Sequence, residues 1–504
     1  MFQPNTIDRA RKLRIDQGQT FAKWLAVGFC FLIPLTSAHA QDAEPRHWTT
    51  ADGVRSAVKL ELIEQDGRTV KLKRMDNGGI VTMHLSKLSK EDRAYVIEHR
   101  ESAGASGASP DSGTDWPQWR GPGRDGKSAE VGLAESWPSG GPELLWTATG
   151  LGQGFSTPSV VGDRVYVLGT SGDTEQLFAL DANGGSQIWQ TPLGAIANGG
   201  GYKGPRGAPT IDGDRAYAIG SDGTLVSAAV SDGSIAWKTN LKRNHAGSDG
   251  HWAYAESPLI DGDKLICTPG GVQATMMALR KTNGSVVWKG SAAQLGAEYA
   301  GAGYSSPVVA TIAGTRQYIT FIHGGVVSFS AAAGRPLWHY DSPANGTANC
   351  STPVVDGDLV FAASGYGTGG GQARISGRGN NWSVNETYFE SKFQNHHGGY
   401  VLVDGHLYGT NDSTLLCMEW RSGRIKWQNR SVGKGSICYA DGNLYVRGEG
   451  GAVALVGATP DGYREKGRFD QGERSGQPAW PHPVVAGGKL YLHDWDRLFC
   501  YRLK

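Results

Sequence analysis

Cysteine is scarce in this chain, with six in 504 residues. Cys30 falls in an N-terminal segment expected to be removed, which leaves Cys267, Cys350, Cys417, Cys438 and Cys500. An odd number of scattered cysteines is not a disulfide framework, and small buried apolar residues are the expectation for most of them. No Cys-x-x-Cys-His occurs, which excludes covalent haem, and no two cysteines are adjacent. Net charge is almost absent too: 49 Lys and Arg stand against 48 Asp and Glu. That balance argues against a nucleic-acid partner. Long apolar runs are also missing, with one exception. Trp24 to Leu35 follows Lys23 and leads into Ala38-His39-Ala40 before Gln41. Twelve residues are too few to cross a bilayer, so residues 1–40 are predicted to be a secretory signal, with the mature chain periplasmic or secreted and no transmembrane segment after cleavage. No Cys stands at the cleavage point. No Ser-His-Asp arrangement, Walker loop or dinucleotide fingerprint lies in the context that its chemistry needs.

Glycine and tryptophan, by contrast, are abundant, at 74 and 16. A Gly-x-x-x-Trp pair recurs about every fifty residues at Gly185/Trp189, Gly233/Trp237, Gly284/Trp288 and Gly334/Trp338, and again at Gly423/Trp427. Upstream of these pairs lies a short apolar run opened by Pro and often turned by Asp-Gly, as in Ala208-Pro209-Thr210-Ile211-Asp212-Gly213. Two signals at one period mean one supersecondary unit copied many times, and this period with this punctuation means propeller blades. The outer strands are assigned to Trp146, Trp189, Trp237, Trp288, Trp338, Phe389, Trp427 and Phe469. The inner strands follow Pro158, Pro209, Pro258, Pro307 and Pro353, then start near Tyr400, Ser436 and Pro483. The chain thus begins on an outer strand and ends on inner ones, so the strand of Trp146 must complete the last blade and close the ring. Trp116 to Pro122 is expected to pack across that closure. The fold class is all-β: an eight-bladed β-propeller over residues 116–504, preceded by a small module.

That module spans residues 46–100. Strand-like runs at 57–63, 69–73 and 80–85 are separated by Asp66-Gly67 and Asn77-Gly78 turns, and Ser89 caps a helix with acids in its first turn. Leu85-Ser86-Lys87-Leu88-Ser89-Lys90-Glu91-Asp92-Arg93-Ala94-Tyr95-Val96, with Arg46-His47-Trp48-Thr49, resembles the SLA1 homology domain 1 (SHD1), an SH3-like β-barrel. The resemblance implies a protein-binding adaptor. Residues 101–115 read as a linker by composition.

In the propeller, Ala179-Leu180-Asp181-Ala182-Asn183-Gly184-Gly185-Ser186-Gln187-Ile188-Trp189 resembles the docking motif of the PQQ-like repeats in the quinoprotein dehydrogenase superfamily. Two functions follow from this resemblance. The first is a non-catalytic exported platform, similar to the BamB-like propellers of outer-membrane barrel assembly, which carry the lipid-accepting Cys that this chain lacks. It would need no cofactor and would bind a protein partner, or a small anionic or carbohydrate-like ligand, as a monomer. The alternative is a quinoprotein dehydrogenase holding PQQ on Ca²⁺, for which Glu256 and Asn349 are the candidate metal ligands.

Any ligand is expected at the funnel mouth. Three residues before each inner-strand Pro, or its equivalent, stand Phe155, Arg206, Ala255, Tyr304, Cys350, His397, Lys434 and Trp480. Glu256 and Asn349 are placed next to this ring, and with Arg206, Tyr304, His397, Lys434 and Trp480 they are the expected ligand-binding residues; Arg206 and Lys434 would supply charge, and Tyr304 and Trp480 stacking faces. Trp146, Trp189, Trp237, Trp288, Trp338 and Trp427 are structural docking residues. His396-His397 suggests a metal only weakly, because neighbours on a strand point to opposite faces; no metal is expected.

Overall fold

The computed structural model describes residues 45–65, 69–84, 87–100, 114–297 and 301–504. The predicted signal segment, the Asp66-Gly67 turn and nearly all of the 101–115 linker lie outside the described residues.

In the N-terminal module, Leu60–Gln65, Thr69–Arg74 and Ile80–His84 form an antiparallel sheet followed by helix Lys90–Arg100. Its core gathers Trp48, Leu60, Val70, Leu72, Leu88 and Val96. Ser89 Oγ accepts from the Asp92 amide at 3.2 Å, and Asp92 ties Arg46 at 2.8 Å.

Eight four-stranded antiparallel sheets follow. Their inner strands are Ser159–Val161, Thr210–Asp212, Leu259–Asp261, Val308–Ile312, Val354–Asp356, Tyr400–Val403, Gly435–Ala440 and Val484–Ala486, which we number blades 1 to 8. Middle strands such as Arg164–Ser171 are buried along nearly their whole length, because a neighbouring blade covers each face. Outer strands such as Ile235–Asn240 expose alternate residues. Blade 8 is completed by Leu144–Thr149, which pairs with Arg497–Arg502 and closes the ring between the two ends of the propeller.

Every blade carries a bulge between its third and fourth strands, at the residue before the docking aromatic in seven blades and before Gly467 in blade 7. In blade 1 Ala179 faces Trp189 while Leu180 faces Gln187, so Ile188 is the extra residue. A bulge re-aims the side chain beside it, here toward the next blade. Trp146, Trp189, Trp237, Trp288 and Trp427 each donate their indole N–H to a carbonyl there, at Ala182, Val230, Lys281, Ala331 and Thr459. The first four lie against the repeat glycine of that blade. At Gly185, φ is 73° and an added Cβ would sit 2.6 Å from the Trp146 ring.

Three of the eight assigned positions differ from expectation. Tyr388 rather than Phe389 occupies the register of blade 5, stacking on Gly423 and donating to the Trp420 carbonyl; strand alternation turns Phe389 outward. In blade 7 the register position is Gly467, not Phe469. Trp137, from the segment before blade 8, lies over Gly467 and donates its amide to the Lys466 carbonyl. Trp338 docks within its own blade, donating to Gln317 Oε1 at 2.6 Å.

The segment from Trp116 to Trp137 does more than brace the closure. It crosses the centre of the ring and bonds to blades on every side. Trp116 bridges Val160, Pro117 accepts from Ile211, and Arg124 donates to the carbonyls of Ser257 and Pro258. Arg120 donates to the Tyr400 carbonyl, Gly126 and Ser128 pair with Tyr439, and buried Glu130 accepts from Gly488. Backbone carbonyls at the starts of inner strands face the axis, so two buried guanidiniums are an economical filling for it.

Candidate funnel site

The inner strands start at one face of the ring, and the tips of the second hairpins return to it. All eight residues named from the repeat alignment therefore line a single cavity of about 450 Å³: Phe155, Arg206, Ala255, Tyr304, Cys350, His397, Lys434 and Trp480. Its aromatic lining falls into two groups, Trp480 centred 4.6 Å from Phe155 and 4.7 Å from Tyr202, and Trp252 5.6 Å from Tyr304. Trp119, carried in by the crossing segment, helps close the cavity, packs on His482 at 4.6 Å and donates to Thr352 Oγ1.

The two cations are held differently. The Arg206 guanidinium donates to the carbonyls of Gly199, Tyr202 and Gly204 and lies over the Phe155 ring. Burial lowers its pKa to about 10, so it stays charged at neutral pH while clamping the loop that carries Tyr202. Lys434 instead pairs with Glu449 at 3.3 Å. The same Glu449 oxygen accepts the Trp480 indole N–H at 2.8 Å and lies 3.6 Å from His397 Nδ1.

Glu256 and Asn349 do not face this cavity. Asn349 is fully buried; its amide donates to the carbonyls of Ile322, His323 and Asn345, and its oxygen accepts from the Asn345 amide. Glu256 accepts from the Thr268 amide at 2.6 Å beneath the surface, and burial raises its carboxyl to about 7, with Arg124 opposing that shift. Residues just before a strand alternate in direction, so one step along the chain turned both side chains into the core. They do not provide the joint calcium site that a quinone cofactor would require. All five described cysteines are free thiols; only Cys350 reaches the cavity, and burial pushes its thiol up to about 12.

His396 and His397 correct a second expectation. They lie in the connection between Asn381–Glu390 and Tyr400–Val403, not on a strand, and both rings line the cavity. Their Nδ1 atoms are 3.3 Å apart, and His396 Nε2 meets the Tyr366 hydroxyl at 2.8 Å. Burial depresses both pKa values, that of His397 strongly. The sequence reading missed Glu449 and Tyr366. Each sits just after the second strand of its blade, in Gly448-Glu449-Gly450 and Gly365-Tyr366-Gly367. A reading of the turn after every second strand would have found both.

This is a PQQ-like β-propeller with a lined funnel. The chain belongs to the family described as outer membrane protein assembly factor BamB, whose family model matches residues 136–294 and 175–429. It is similar to the outer membrane protein assembly factor BamB of Burkholderia pseudomallei (strain K96243), with 27% identity covering 50% of this chain and 73% of that protein. Among solved structures, the quinohemoprotein alcohol dehydrogenase of Comamonas testosteroni superposes with a TM-score of 0.55 at 12% identity, over 82% of this chain and 84% of that one. The structure of BamB from Moraxella catarrhalis gives a TM-score of 0.47 at 16% identity, over 67% and 94%. Likeness at such identity speaks of the fold alone.

Proposed function

We propose that this protein is an exported, non-catalytic platform whose funnel captures part of a polypeptide partner, as an assembly factor would. One observation carries the reading: eight equivalent positions, one from each blade, converge on a cavity with stacking faces and a half-buried Arg206 that stays charged at neutral pH. Such a lining suits an anionic or carbohydrate-like group, or an acidic or aromatic segment of a protein. By the same reading, outer-membrane assembly components are the partner class, the chain acts outside the cytoplasm, and residues 46–100 serve as an adaptor of the SHD1 type. The dehydrogenase alternative loses support because Glu256 and Asn349 do not line the cavity.

The test is site-specific photo-crosslinking in the native host from position 366 at the cavity. A polypeptide adduct is expected, and the Lys434→Ala, Trp480→Ala double variant should reduce its yield about tenfold. Adducts that persist undiminished in that variant would move the site to the rim or the opposite face. Separately, a quinone absorption spectrum after incubation with PQQ and Ca²⁺ would overturn the non-catalytic reading.

A further inference from the structure

His396, His397 and Glu449 each offer a ligand atom, and these atoms lie within 4.8 Å of one another. Two ligands about 2.1 Å from one ion stand roughly 3.4 Å apart at a tetrahedral angle. The two Nδ1 atoms are separated by 3.3 Å, and His397 Nδ1 lies 3.6 Å from Glu449 Oε1, so neither distance needs the chain to move far. The surroundings also suit ligation. If His396 Nε2 donates to the Tyr366 hydroxyl, the lone pair is left on Nδ1, facing the other two groups. The Trp480 indole N–H fixes the position of Glu449 Oε1, the oxygen nearest His397.

We propose that His396, His397 and Glu449 form a three-ligand site for a borderline divalent transition-metal ion of the zinc class. Two imidazoles and one carboxylate are the donor set such ions prefer over Ca²⁺ or Mg²⁺. Three protein ligands leave a coordination position open, and the cavity supplies room for it. An anionic group on a captured partner would bind there. The proposal does not depend on the platform reading, since it concerns the ion alone.

Lys434 is the opposing group: its ammonium already shares Glu449 Oε1, and it must swing aside or cede that oxygen when the ion binds. This gives the site a signature that ordinary surface histidines lack. Untagged full-length protein, stripped with chelator, is titrated with Zn²⁺ by calorimetry, and with Co²⁺ by visible absorption. One equivalent is expected, with a tetrahedral cobalt spectrum. His396→Ala and Glu449→Gln should each weaken binding at least tenfold, Tyr366→Phe about tenfold, and Lys434→Met should strengthen it several-fold. Circular dichroism and melting in chelator verify that each variant folds. No stoichiometric binding by the parent, binding unchanged in folded His396→Ala, or weaker binding in Lys434→Met would each overturn the site.

Discussion

Glu175 shows how one buried group can set the acid response of a blade. It is fully buried, and both oxygens accept from Ser221, one from the hydroxyl and one from the amide at 2.7 Å. Desolvation raises its carboxyl to about 7, against the lowering effect of those hydrogen bonds. The folded chain therefore keeps a proton that the unfolded chain releases near pH 4.5. The resulting stability is fully present below that pH and is lost as pH rises to about 7. Glu175→Gln mimics the protonated form and should flatten this dependence. The gap between urea midpoints at pH 5 and pH 8 should narrow by on the order of 1–3 kcal/mol in the variant, and what remains belongs to Glu256, whose carboxyl burial raises to the same range. At this scale much of the site was legible. Counting back from each inner-strand Pro placed Arg206, Tyr304, His397, Lys434 and Trp480 in the cavity, because equal spacing in equal blades puts side chains at equal depth. What the count missed was direction. Glu256 and Asn349 are single steps from cavity positions, and on an extended chain one step inverts the side chain.

At the scale of the element, the repeated bulge and its aromatic are the joint between blades. Replacing Gly185 with Ala combines a left-handed backbone with a clash on the Trp146 ring, and should cost about 1–3 kcal/mol. A shift in thermal midpoint of the purified variant measures it. Blade 7 makes a sharper test, because its joint is assembled from two distant stretches of chain. Trp137→Ala empties the space above Gly467 and should cost on the order of 3–5 kcal/mol. Trp338→Phe, which loses the bond to Gln317 and also shrinks a buried bicyclic ring to a phenyl, should cost about 1–3 kcal/mol. The repeat glycines and tryptophans made this joint readable where the motif is intact. Blade 5 substitutes Tyr388, and blade 7 borrows Trp137 from a segment some 330 residues upstream. No local pattern marks that loan, so a search by size chose Phe389 and Phe469.

For the whole molecule, the crossing segment is the feature that length and periodicity concealed. Trp116 to Trp137 carries no repeat, yet its Arg120 and Arg124 lie on the axis and its Trp119 closes the cavity. Deleting residues 116–137 should remove the funnel's closure and uncap inner-strand carbonyls. The variant is expected to melt well below the parent and to lose any funnel ligand even at temperatures where circular dichroism still reports strands. The module is joined to this body by long, exposed pairs, Lys87 with Asp404 at 3.7 Å and Lys90 with Glu135 at 4.0 Å. Pairs of that kind contribute little, so cleavage between residues 101 and 115 should release a folded module and leave the propeller's thermal midpoint unchanged.

The closing of blade 8 also fixes when the protein can exist. Leu144–Thr149 is made some 350 residues before its partner Arg497–Arg502. At ordinary rates of translation the two are separated by roughly 20–70 s. Throughout that interval one strand edge waits at each end of an open arc, each able to pair with a stranger. A ring of this kind therefore has no useful partial product: a chain cut before Arg497 leaves two adhesive ends rather than a slightly shorter protein. Until Arg497–Arg502 pairs with Leu144–Thr149 the arc stays open, and that one strand decides whether the other seven blades count for anything.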